Sequence, residues 1–183
     1  KIVTGSGSAK AAQTVSSRQS PWGSQAQADT ASAKALKAGA AITIRGGKFM
    51  IDAADDAINS NGAVTITNGD LAIATGDDAI HADASISIEG GTIAVSKSYE
   101  GLESAVITVK AGTVRIVSSD DGINVVGAAG GGFGARGGQM RSTASSNQKL
   151  TISGGYVAVD ALGDGIDING SVYMSGGTLV ISG

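Results

Sequence analysis

With 183 residues, 42% of them hydrophobic, the chain can bury a core and fits a single domain. Only 3% are aromatic, 29 are glycine and none is cysteine, which excludes disulfides and thiolate zinc sites and calls for a core of small aliphatic layers. A formal charge of -3 without a basic stripe argues against a nucleic-acid surface, and no apolar run is long enough to span a bilayer.

Lys1-Ile2-Val3-Thr4 reads as the last strand of an earlier unit, like Arg115-Ile116-Val117-Ser118, and Val180-Ile181-Ser182-Gly183 stops where another acidic turn would begin. A fragment cut at both ends is therefore expected. An insertion over 6–32, rich in Ser, Ala and Gln, follows and carries Trp22. After it the chain settles into a repeat. Units open at Asp55, Asp77, Tyr99 and Asp120, spaced by 22, 22 and 21 residues, and the phase resumes at Gly163 after a Gly-rich insertion over 127–149 that holds Phe133, Arg136 and Arg141. Each opening pairs acids with a small residue and an aliphatic one: Asp55-Asp56-Ala57-Ile58, Asp77-Asp78-Ala79-Ile80, Tyr99-Glu100-Gly101-Leu102, Asp120-Asp121-Gly122-Ile123, Gly163-Asp164-Gly165-Ile166.

Later in each unit comes an alternating triplet, a glycine-containing bend and a second alternating strand, as in Ile42-Thr43-Ile44, Gly46-Gly47 and Phe49-Met50-Ile51. Six such phrases occur. None has apolar residues at helical spacing, so helical repeats are excluded. The expected fold is an all-β, right-handed parallel β-helix of about six coils of 21–22 residues, a single domain over 1–183 with loops at 6–32 and 127–149. Alternation sends Ile42, Ile44 and Phe49 with their equivalents into the core and leaves Thr43 and Met50 with theirs outside. The two insertions should flank the acidic edge at opposite ends.

Stacking brings Asp56, Asp78, Glu100, Asp121 and Asp164 into one column, with Asp55, Asp77 and Asp120 beside it. Coils repeat every roughly 4.8 Å, and like charges at that spacing repel by about 1 kcal/mol per pair even in water. Protonation or a bound cation must relieve them. The donors are hard oxygens with one His and no Cys, so Ca²⁺ fits better than zinc or copper. Asn59, His81, Glu103, Asn124 and Asp167, three residues further on, are additional candidate ligands. The plainer alternative is ordinary turn chemistry, in which Asp caps backbone amides.

The sequence resembles a bacterial family of carbohydrate-binding β-helix domains, first described in cellulolytic clostridia and formerly a domain of unknown function. The resemblance spans about Ala33 to Gly183 and rests on Ala33-Lys34-Ala35-Leu36-Lys37-Ala38-Gly39, the Asp-Asp-(Ala/Gly)-Ile turns, the Tyr99-Glu100-Gly101-Leu102-Glu103 variant and Asp164-Gly165-Ile166-Asp167. It implies a pectate-lyase-like fold, an extracellular or surface-attached bacterial protein, calcium at the acidic turns, and affinity for cellulose or polygalacturonate. The chain departs from the family where Ala57 and Ala79 replace glycine and Gly163 replaces the first Asp.

Three functions follow. As a non-catalytic binding module, expected to work as a monomer, the chain would bridge its carboxylates to acidic sugars through calcium, with Lys97, Tyr99, Glu103, Arg115 and Trp22 touching the glycan. The metal ligands would come from Asp55, Asp56, Asp77, Asp78, Glu100, Asp120, Asp121, Asp164 and Asp167. As a polysaccharide lyase it would need a cationic base such as Lys37, Lys97 or Arg115, yet spacing identifies no convergent pair. As a stalk it would use calcium for stiffness alone. A catalytic role for His81 is disfavoured, because Asn and Asp occupy its place in other coils.

Overall fold

The computed structural model of the chain describes residues 1–9, 33–126 and 147–183. The described residues contain strands and turns with no helix, and their strands pair in parallel, coil upon coil, as a β-solenoid of about six turns. Each turn contributes three strands. A short ladder runs through Leu36–Ala38, Ile58–Ser60, Ile80–Ala82, Leu102–Ser104, Ile123–Val125 and Ile166–Ile168. The first face stacks Ser85–Ile88, Val106–Val109, Lys149–Ile152 and Ser171–Met174. The second face stacks Thr92–Lys97, Thr113–Ser118, Tyr156–Ala161 and Thr178–Ser182. In the early coils both faces lie on single strands, Ala41–Ala53 and Ala63–Thr75, which bend without breaking, so the two faces count as one sheet.

The bend is a glycine position. Gly47, Gly69, Gly91, Gly112, Gly155 and Gly177 all have positive φ, and a Cβ at Gly112 would meet the Gly91 carbonyl oxygen of the coil below at 2.7 Å. Only glycine turns the chain there without strain. The core follows the alternation expected from sequence. Val64, Ile66, Ile86, Ile88, Ile107, Val109, Leu150 and Ile152 are fully buried on the first face, and Leu71, Ile93, Val114 and Val157 on the second. Ile58, Ile80, Leu102 and Ile123 close the third side. In the last coil the same layers are exposed on one side, with Val172, Met174 and Ile181 almost half accessible.

A second close approach explains the small residue after each acid. A Cβ at Gly122 would lie 2.1 Å from Val159 Cγ1, and one at Gly165 2.1 Å from Ile181 Cγ2, whereas Ala57 and Ala79 are accommodated fully buried. This tight corner fixes where the preceding acid must stand. Lys1-Ile2-Val3-Thr4 does behave as a coil strand, with Ile2–Thr4 pairing with Ile51–Ala53. Lys149, taken with the second insertion, instead begins a strand and pairs with Val106 and Ser171. The greater part of both insertions, with Trp22, Phe133, Arg136 and Arg141, lies outside the described residues.

Candidate functional site

The acids stand at the corner between the second face and the short ladder, one per coil in register. The pairing Leu36↔Ile58↔Ile80↔Leu102↔Ile123↔Ile166 aligns Lys34, Asp56, Asp78, Glu100, Asp121 and Asp164, two residues earlier, in one column. It aligns Lys37, Asn59, His81, Glu103, Asn124 and Asp167 in a second column one residue after that ladder position. The fold thereby gathers the residues singled out from sequence. Asp56 and Asp78 are buried, Glu100 and Asp121 half-buried, and Asp164 exposed.

Burial makes the charge problem acute, and the chain meets part of it with its own groups. Lys34 Nζ donates to Asp55 Oδ1 at 3.0 Å and to Asp56 Oδ2 at 2.5 Å, and Asn59 Nδ2 donates to the same Asp56 oxygen at 2.7 Å. His81 Nδ1 lies 2.7 Å from Glu103 Oε2 and 3.3 Å from Asp78 Oδ2, while Nε2 lies 3.0 Å from Asp83 Oδ1. Hydrogen bonds to Asp78 and Glu103 push the His81 pKa up to about 11, so the ring is a cation at neutral pH. Burial pushes Asp78 up; burial also opposes ionisation of Glu103, but its bond to His81 holds it down.

Beyond His81 the compensation thins out. Burial and the nearby charges of Glu103, Asp121 and Asp120 push Glu100 up to about 7, although Asn124 Nδ2 donates to its Oε1 at 2.9 Å. Burial, together with Asp120, Asp167 and Asp164, also raises Asp121, against the opposing bond from the Asp164 amide at 2.8 Å. Gly163 fits here because a Cβ would lie 2.8 Å from both Asp120 Oδ1 and Asp121 Oδ1. Tyr99 fills the place of a first Asp, and its hydrogen bond to Asp120 pushes the phenol up to about 12.

Three sets of ligand atoms converge within 4.8 Å: Asp55, Asp56 and Asp77; Asp56, Asp78 and His81; Asp78, Glu100 and Glu103. Lys34 occupies the first set and His81 enters the second. In the third, Glu100 Oε2 is buried with no hydrogen-bond partner among the described residues, and so is Asn124 Oδ1 on its neighbour. Orphaned acceptor oxygens beside clustered carboxylates are the chemistry a hard divalent cation satisfies, so the residues fit Ca²⁺.

Of the cationic candidates, Lys37 stands exposed on the short ladder beside the acid column, and Lys97 and Arg115 stand on the second face. Lys97 Nζ donates to the Ser8 carbonyl, tying the root of the first insertion to this face, where Ser8 N also donates to Asp52 Oδ1 at 2.6 Å. The Arg115 guanidinium lies 5.1 Å from the Tyr156 ring centroid. Two adjoining grooves meet at Val117 and Asp160, one including Lys97 and Leu162 and the other Arg115 and Val180. Val117 and Leu162 are 45% and 85% exposed, leaving an apolar surface between the charged groups. Sequence reasoning missed Lys34, Asp160 and Leu162. Lys34 was visible 22 residues before Asp56, at the same place in the repeat; Asp160 and Leu162 carry no local signal.

A family model described as carbohydrate-binding domain-containing protein matches residues 1–79. This part of the chain is similar to that family, in agreement with the resemblance carried by its acidic turns, and the match supports a carbohydrate-binding role. No curated protein and no solved structure gives a significant match. Among the described residues no helix is long and apolar enough to cross a membrane.

Proposed function

We propose that the chain is a non-catalytic, calcium-containing module that binds acidic or cellulosic polysaccharide of the polygalacturonate and cellulose class outside the bacterial cell. The observation that carries this reading is the set Asp78, Glu100 and Glu103, whose ligand oxygens converge while Glu100 Oε2 and the neighbouring Asn124 Oδ1 have no hydrogen-bond partner among the described residues. Those oxygens would hold the ion, which when bound supplies positive charge for a uronic carboxylate. Lys97 and Arg115 on the adjacent face add charge, and Val117 and Leu162 add apolar surface.

Binding rather than cleavage is favoured by the engagement of two of the three candidate bases: Lys97 is held by Ser8 and Arg115 sits over Tyr156, which leaves exposed Lys37 as the base a lyase would have to use. The test is retention on insoluble polygalacturonate and cellulose, with calcium and with chelator. Calcium-dependent retention without an unsaturated product is expected. Release of unsaturated uronate would establish a lyase, and no retention on either polymer would leave a calcium-stiffened stalk.

A further inference from the structure

The acid column begins with a cation. Register places Lys34 where later coils carry Asp56, Asp78, Glu100, Asp121 and Asp164. Its ammonium reaches across the gap between coils to Asp55 and Asp56, with its own side chain 17% exposed and that of Asp56 only 5%. The two carboxylates it contacts, Asp55 and Asp56, form with Asp77 a set whose ligand atoms lie within 4.8 Å of one another, as do those of Asp78, Glu100 and Glu103.

From this juxtaposition we propose that Lys34 is a tethered substitute for a metal ion, filling the first gap of the column and so keeping that gap closed to a bound ion. The inference rests on the reading that the column takes Ca²⁺, but it concerns a different gap. An ammonium and a calcium ion are both hard cations that oxygens satisfy. The ammonium brings one charge and three donors and cannot be stripped by a chelator, so the first gap stays closed whatever the metal supply. Removing it leaves the Asp55 and Asp56 carboxylates without the cation that bridges them, beside Asp77, and such a set either takes up protons or binds a divalent ion.

The test is calcium titration by calorimetry on the full chain, together with thermal melts with calcium and with chelator. Lys34→Met is expected to bind one ion more than the parent and to gain a chelator-sensitive melting temperature. Lys34→Arg, which keeps the cation, should match the parent, and Lys34→Met combined with Asp55→Asn should lose the added ion. An unchanged ion count in Lys34→Met overturns the proposal. Should that variant fold only when calcium is present, the folding itself reports the new site. If it does not fold at all, Lys34→Gln, of similar polarity, is titrated instead, and failure of both to fold or to bind the added ion also overturns it. A parent that binds no calcium while Lys34→Met binds one would sink the site at Glu100 and leave the role of Lys34 standing.

Discussion

Glu100 shows how a single side chain couples the fold to pH. Burial with Glu103, Asp121 and Asp120 nearby raises its pKa from 4.5 to about 7, so between these values the folded chain holds more protons than the unfolded chain. Stability therefore falls as pH rises through that window. His81 adds to the same trend higher up, since its contribution is complete below 6.5 and is lost as pH approaches about 11. Asp55 and Glu103 act in the opposite sense: both are held below their usual range, and what they contribute is lost only as pH falls into acid. Metal-free protein should melt at a lower temperature at about pH 8 than at about pH 5.5. Calcium should remove most of that difference, because a bound cation replaces the proton on Glu100. Melting curves across this range, with chelator and with calcium, decide the matter; a metal-free protein more stable at the higher pH would contradict the assignment.

At the level of strands, each coil is held by its neighbours above and below. Ile88 lies between Ile66 and Val109 in the first-face ladder and is fully buried. Met174 occupies the equivalent place in the last coil and is 46% exposed. Ile88→Ala should cost about 2–5 kcal/mol, because it leaves a cavity between two fixed layers. Met174→Ala should cost well under half of that, because much of its surface already meets water. Urea unfolding of the two variants checks the ranking, and equal losses would mean that the coils do not act as stacked layers. The bend between the faces tolerates less: five of its six glycines would set a Cβ within 3.3 Å of backbone in the coil below.

For the molecule as a whole, the acidic corner and the second face adjoin, so one glycan could touch both the metal column and the grooves that meet at Val117 and Asp160. Replacing Lys97 and Arg115 together by alanine should weaken retention on polygalacturonate by about 3- to 10-fold, the scale of two exposed ion pairs. Retention on neutral cellulose should stay within about twofold. Frontal affinity measurements on the two polymers check this, and an equal loss on both would show that the cations do not read the uronic charge. How far the sequence foretold this arrangement depends on whether a feature repeats. The restart at Asp55, Asp77, Tyr99 and Asp120 gave the coil length, the facing of Ile44 and Thr43 and the alignment of Asp56 through Asp164, because a solenoid of constant period turns spacing along the chain directly into register. Lys34 followed the same rule and could be placed by counting. Only the folded chain decided that Lys34 pairs with Asp55 and Asp56, that His81 lies between Asp78 and Glu103, that Arg115 covers Tyr156, and that Glu100 Oε2 is left unpartnered. Those outcomes depend on how deeply each side chain is buried and which way it turns across a coil gap. Neither is periodic, so the packing of particular neighbours had to settle both.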